Sequence, residues 1–226
     1  MPLNPKKGNM YGFITDTFNT VKGECPHGCS YCYMKRYGKQ NPIRFDASEL
    51  NTLMGEAKTI FVGSSCDMFA NKIPFSWIYA TLKFCRDNPS NQYFFQSKNP
   101  KRMFEYADHF PKTAILCTTI ESNRHYPEIM GQTPPPSERA EYMGALSVLF
   151  KTHVTLEPII DFDLPEMVAL IRQCNPVQVN IGANSSYGKK RNISEPTPEK
   201  VNALISELRA FVPVVHLKSN LKRIMK

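Results

Sequence analysis

No run of about 18 consecutive apolar residues occurs in this chain, which excludes a membrane-spanning helix. Its opening residues, Met1-Pro2-Leu3-Asn4-Pro5-Lys6-Lys7, lack the apolar core of an export signal. Paired cysteines are missing too. The total of seven is odd, and Cys66, Cys85, Cys117 and Cys174 each stand alone. Without an export signal, this pattern argues against a disulfide framework and for a reducing, cytoplasmic compartment. His109, His125, His153 and His216 are scattered, so the second Cys/His pair that usually completes a structural zinc site is absent. Acidic residues are scarce: 20 Asp+Glu face 28 Lys+Arg, a formal charge of +8. That excess favours anionic partners such as nucleotides or nucleic acid. Linkers, repeats and a second domain are also lacking. The expectation is one domain over 1–226, with an arm at 1–15 and a core at 18–221.

What is present centres on Cys25-Pro26-His27-Gly28-Cys29-Ser30-Tyr31-Cys32. Three cysteines fall at spacings of four and three, with an aromatic before the last. Thiolates bind iron, and an iron–sulfur cluster is normally held by four of them. Three leave one iron open to a small molecule, as a catalytic metal site differs from a closed structural one. The other reading is zinc held by Cys25, Cys29 and Cys32 with His27 or a distant ligand, which would make a zinc-stapled nucleic-acid-binding module.

Along the chain, short apolar or β-branched runs alternate with helical patterns. Strands are expected at 18–22, 59–63, 92–96, 113–118, 154–156, 177–182 and 214–217. Helices are expected at 47–56, from Pro74 through Phe84, from Pro100 to Ala107, and over 138–149, 164–173 and 198–211. The segment Gly131-Gln132-Thr133-Pro134-Pro135-Pro136 reads as a rigid loop, a lid or docking segment. Strands alternating with helices predict a parallel sheet in an α/β fold. If that sheet curls, polar groups just after the strands face one mouth. These include Ser64, Ser65, Asp67, Gln96, Ser97, Lys98, Thr118, Glu121, Glu157, Asn180, Asn184, Lys218 and Asn220.

The pattern C-x3-C-x-aromatic-C resembles the signature of the radical S-adenosylmethionine (radical SAM) superfamily. Phe61-Val62-Gly63-Ser64-Ser65-Cys66-Asp67-Met68-Phe69, Phe95-Gln96-Ser97-Lys98-Asn99-Pro100 and Leu217-Lys218-Ser219-Asn220-Leu221 resemble stretches of a bacteriophage-associated branch. That branch is distantly similar to spore photoproduct lyase, and some of its members are linked to hypermodification of thymine in DNA. Its members often have a longer first cysteine gap than the one here. The resemblance implies a partial (β/α)6 TIM-like barrel. It also implies a [4Fe-4S] cluster on Cys25, Cys29 and Cys32, and S-adenosylmethionine (AdoMet) on the open iron. Reduction by a flavodoxin- or ferredoxin-type donor would give a 5′-deoxyadenosyl radical. The expected substrate is a nucleotide or nucleic-acid pyrimidine, modified or rearranged; repair of a damaged base is the alternative.

The resemblance also suggests roles at the strand ends. Gly63-Ser64-Ser65 stands where relatives hold the AdoMet amine, or is an ordinary turn. Lys98, with Ser97 as companion, neutralises the AdoMet carboxylate or is a solvated charge. Tyr31 packs near the adenine or against its own loop. Glu157 and Asn180 bind ribose hydroxyls or substrate. Cys66, Cys117 and Tyr187 are candidate hydrogen-atom donors, although a free cysteine is more often a small buried hydrophobe. Lys189, Lys190 and Arg191 grip phosphates or form a solvated run.

Overall fold

From residue 59 onward, apolar strands and amphipathic helices take turns, and that order sets the architecture. The computed structural model describes residues 2–8, 10–185 and 193–226. Its strands are β1 (Asn4–Pro5), β2 (Asp16–Phe18), β3 (Val21–Lys22), β4 (Arg44–Phe45) and β5 (Thr59–Val62). They continue with β6 (Gln92–Ser97), β7 (Ala114–Thr119), β8 (Lys151–Leu156), β9 (Gln178–Ile181) and β10 (Val214–Leu217). The helices are α1 (Phe75–Arg86), α2 (Pro100–Phe104), α3 (Pro127–Met130), α4 (Pro136–Ser147), α5 (Leu164–Cys174) and α6 (Pro198–Arg209).

Eight strands form one sheet in the order β1-β2-β5-β6-β7-β8-β9-β10. The last seven of that order run parallel, and β1 lies antiparallel on the β2 edge. No pairing joins β10 back to β1 among the described residues, so the sheet is an open α/β partial barrel, TIM-like in design. Apolar strands this long suit a sheet covered by crossover helices.

The start of the chain corrects the sequence reading. The first barrel strand is Asp16–Phe18, and Val21–Lys22 leaves the sheet to pair with Arg44–Phe45. The helix expected at 47–56 is a single 3₁₀ turn, Ala47–Asn51, begun by Asp46, whose side chain accepts from the Ser48 amide. The helix expected over 138–149 starts two residues earlier, on Pro136, a residue suited to a first helical position, and ends at Ser147.

Side chains alternate across each strand. Tyr93, Phe95, Leu116, Val154, Leu156, Val179 and Ile181 pack outward under the helices in the main core. Phe61, Phe94, Ile115 and Cys117 form a second cluster on the other face. The N-terminal arm fills that inner face. Tyr11 stacks on Phe13 at 5.4 Å and meets Phe94 edge-on at 5.0 Å, while Phe13 meets His153 at 5.5 Å. The Tyr11 hydroxyl donates to Gln96 Oε1 at 2.8 Å and shares a 2.6 Å hydrogen bond with Thr155 Oγ1. The polar strand ends thus stand above an aromatic floor.

Candidate functional site

The cysteine loop leaves β3 and is clamped by the segment that follows β7. The Ser30 amide donates to the Ile129 carbonyl at 2.8 Å, and the Gln132 amide to the His27 carbonyl at 2.7 Å. Gly131, at φ +70°, has no room for a side chain: a Cβ there would sit 2.1 Å from the His27 carbonyl oxygen. The 131–136 segment is therefore a staple on the cysteine loop. A second anchor is His27, whose Nε2 lies 2.9 Å from Asp67 Oδ2. Asp67 also accepts from Ser97 Oγ at 3.0 Å and the Lys98 amide at 2.8 Å. Burial opposes both charges, but each group sustains the other: Asp67 is held below and His27 above its ordinary pKa.

Among the three cysteines, Cys29 is buried, and Cys25 and Cys32 are half-buried. Hydrogen bonding from the Cys66 thiol lowers the Cys25 pKa, against the effect of burial. The same contact, with burial, drives Cys66 far upward. Burial also raises Cys29, with Lys98 pulling the other way. Among the described residues no three His, Cys, Asp or Glu side chains converge on one point. A tetrahedral zinc ion needs such convergence, and His27 is committed to Asp67. A cubane asks less of its protein, because each thiolate reaches a different iron. With His27 taken by Asp67, the donors left on the loop are three thiolates, the soft ligands that iron–sulfur clusters use.

Beside the loop lies a buried ionic chain. The Tyr31 hydroxyl donates to Glu121 Oε1. Glu121 Oε2 accepts from Arg139 Nη1 at 2.7 Å, and both side chains of this ion pair have 0% exposure. Arg139 uses its remaining donors on the carbonyls of Thr119 (2.9 Å) and Pro134 (2.7 Å) and on Thr133 Oγ1 (2.7 Å). A buried charge persists only when paired and hydrogen-bonded in this way. Despite burial, Arg139 and Lys98 keep the Glu121 carboxyl below its usual range, while burial and Glu121 keep the Tyr31 phenol protonated. Lys98 Nζ sits 5.4 Å from the centre of the Tyr31 ring. Burial works against its charge, but Cys29 and Glu121 outweigh that and raise its pKa. The result is a fixed cation next to the sulfurs.

Across the mouth, Glu157 Oε2 accepts from Lys218 Nζ at 2.5 Å and Oε1 accepts from Asn220 Nδ2 at 2.7 Å. Lys218 Nζ also lies 4.8 Å above the Tyr11 ring. Gly182 faces this group and must be small, since a Cβ would meet Glu157 Cδ at 2.9 Å and Asn220 Oδ1 at 3.0 Å. Two residues earlier on the same face of β9 is Asn180, fully buried. Asn180 Oδ1 accepts from Gln178 at 2.8 Å, but among the described residues its Nδ2 has no partner, and neither has the buried Asn220 Oδ1. One unpaired donor and one unpaired acceptor are unusual in a protein interior.

The residues singled out from sequence divide into groups. Cys25, Cys29, Cys32, Tyr31 and Lys98 gather at the cysteine loop, and Glu157 and Asn180 stand on the opposite side. Ser64 and Ser65 cluster on Asn19, whose Oδ1 accepts from Ser64 Oγ, the Ser65 amide and Ser65 Oγ. Ser97 turns to Asp67 and to the Asn99 amide. Cys66 lies in the main core with its thiol against Cys25. Cys117 faces inward at 3.5 Å from Thr155 Oγ1, and burial raises its pKa to about 12. Tyr187, Lys189, Lys190 and Arg191 lie outside the described residues. Arg139 and Tyr11 were not anticipated. For Arg139 a signal existed: it occupies the stripe of Pro136, Ala140, Met143 and Leu146 that α4 buries, an odd place for a charge.

Solved structures share this fold. A spore photoproduct lyase mutant with bound AdoMet and dinucleoside spore photoproduct aligns at 12% identity and a TM-score of 0.65, over 94% of this chain and 78% of that one. Streptococcus suis SuiB bound to precursor peptide SuiA aligns at 10% identity and 0.63, over 92% and 50%. Methylornithine synthase (PylB) aligns at 10% and 0.51, over 90% and 72%. No curated protein matches the chain by sequence. Residues 10–133, more than half of the chain, match the model of the DUF5131 family, described as proteins of unknown function, and the chain belongs to that family.

Proposed function

We propose that this protein is a radical SAM enzyme acting on a pyrimidine base of a nucleotide or nucleic acid. The observation that carries the reading is a loop of three cysteines at the mouth of a partial barrel, held in place by the Gln132 amide and the His27–Asp67 pair. Cys25, Cys29 and Cys32 would hold a [4Fe-4S] cluster. The chemistry such a cluster would supply is one-electron reductive cleavage of AdoMet, with release of methionine, as the source of hydrogen abstraction from the substrate. The likeness in fold to a spore photoproduct lyase with AdoMet bound supports this cofactor pair.

The protein's own task is to bind, orient and exclude water. Lys98 offers its fixed positive charge to the AdoMet carboxylate. Tyr31, held by Glu121, presents an immobile ring beside it. The floor made by Tyr11, Phe13 and Phe94 keeps water from the depth of the barrel. On the far side, Asn180 Nδ2 and Asn220 Oδ1 are a donor and an acceptor without a partner among the described residues, the two kinds of group that the carbonyl and N–H of a thymine or uracil imide would satisfy. Glu157 and Lys218 hold Asn220 and the adjoining wall in place.

Anaerobic reconstitution with iron and sulfide tests this. The protein should turn brown, bind about four irons, and release 5′-deoxyadenosine when reduced with AdoMet. Cys29→Ala should lose both iron and product. Pyrimidine nucleotides or oligonucleotides should speed AdoMet cleavage and incorporate deuterium from, or into, the base. A colourless protein with stoichiometric zinc overturns the proposal.

A further inference from the structure

From Cys25 to Phe45 there is no acidic residue, while Lys35, Arg36, Lys39 and Arg44 all occur within that span. All four are exposed. None takes part in an ion pair among the described residues. A run of charge is usually only a solvated face, but this one carries aromatic rings as well. Tyr33 and Tyr37 lie on the 3₁₀ turn Tyr33–Tyr37 that follows the last cysteine. They are 39% and 67% exposed. The Arg36 guanidinium stands 5.5 Å from the centre of the Tyr33 ring and 5.8 Å from that of Tyr37. A tyrosine, an arginine and a second tyrosine therefore make a short aromatic and cationic column on the surface.

The column is tied to the mouth. The Tyr33 hydroxyl donates to the Ser64 carbonyl at 2.9 Å, on the turn after β5, and Lys35 Nζ donates to the Gly28 carbonyl at 3.1 Å in the cysteine loop. Anything lying on these rings is led to the edge of the candidate site.

We propose that the 33–44 surface is a docking platform for a single strand of DNA, whose bases stack on Tyr37 and Tyr33 and whose phosphates meet Arg36, Lys39 and Arg44. Platforms of this kind pair aromatic faces, which accept any base, with cations that track the backbone. The Arg36 guanidinium, near both rings, adds a planar, cationic surface. An acidic electron-donor protein would use the cations but has no need of exposed rings, so the rings favour nucleic acid. The inference rests on the pyrimidine reading and narrows it: the base arrives on a strand, not as a free nucleotide, and the strand needs no flipping out of a duplex.

Binding of fluorescently labelled oligothymidylate to the reconstituted protein, read by anisotropy over a salt series, tests this without turnover or AdoMet. Tyr37→Ala should weaken binding about tenfold and Tyr37→Trp should not, the size expected of one stacked base. Replacing Arg36, Lys39 and Arg44 by alanine should reduce the slope of log K against log salt by about 2, roughly 0.7 for each phosphate that is no longer neutralised. In both variants, AdoMet cleavage without substrate should match the parent, which separates this platform from the cofactor site. Equal affinity of the parent and Tyr37→Ala overturns the platform. So does a preference for duplex or for oligoribonucleotide, or binding of an acidic flavodoxin at this face with no oligonucleotide binding. Failure to load a cluster, with oligonucleotide binding intact, sinks the proposed chemistry and leaves the platform standing.

Discussion

The two walls of the barrel mouth are built on opposite principles. On the wall beside the cysteine loop, polar atoms are used up. Arg139 spends its donors on Glu121, Thr119, Thr133 and Pro134, Glu121 receives Tyr31, and Asp67 gathers His27, Ser97 and the Lys98 amide. On the wall of β8, β9 and β10, a buried donor on Asn180 and a buried acceptor on Asn220 have no partner among the described residues. A satisfied network is rigid and resists change. An unsatisfied pair costs stability, which a binding site recovers when its ligand arrives. The first wall has the character of a mount for a permanent group, and the second that of a receptor for a transient one.

The contrast can be broken most forcefully at Arg139. Arg139→Met should destabilise the protein by about 3–5 kcal/mol in urea unfolding, because it removes the only ion-pair partner of the buried Glu121 carboxylate among the described residues and leaves Lys98 as its nearest remaining positive charge. Adding Glu121→Leu to that variant should restore much of the loss. A cost below about 1 kcal/mol for Arg139→Met would show that the first wall is not held by this pair.

Acid sharpens the comparison from below. Burial lowers the His153 imidazole to about 4, under the floor formed with Phe13 and Phe94. The unfolded chain therefore takes up a proton near pH 6.5 that the folded chain refuses until about pH 4. Stability should fall across that interval as pH drops, by up to about 3 kcal/mol at roughly 1.4 kcal/mol per unit. His153→Leu should flatten this part of the profile in urea titrations at stepped pH.

The smallest effect concerns the second wall. Gly182→Ala pushes a methyl onto Glu157 and Asn220, and overpacking of this kind costs about 1–3 kcal/mol. If the wall receives substrate, the variant should also weaken substrate-stimulated AdoMet cleavage while leaving iron content unchanged. A fall in iron content instead would mean that the two walls are not independent.

Much of this was legible in the chain. The strands at 59–62, 92–97 and 178–181 announce themselves as apolar runs ending in polar or glycine residues, and period-two alternation then orients every residue at the mouth. The cysteine triplet is local, so spacing alone exposes it. What escaped depends on contacts between distant segments. Val21–Lys22 has the composition of a barrel strand but is drawn off by Arg44–Phe45, leaving Asp16–Phe18 to pair with β5. Tyr11 lies in a polar, proline-containing stretch, and nothing local says that its ring enters the barrel. The 131–136 segment was readable as rigid from its prolines, but its partner, the cysteine loop, lies about a hundred positions away. Arg139 and Glu121 are 18 residues apart on different elements, and their bond appears only once α4 lies over β7.

The arm that occupies the inner face of the sheet has a consequence for traffic. A vessel stoppered at its base fills and empties through its neck. Molecules that share such a vessel pass one opening, which the cysteine loop and the wall of β8, β9 and β10 both border. How deep they settle is set by where the rings of Tyr11 and Phe13 come to rest.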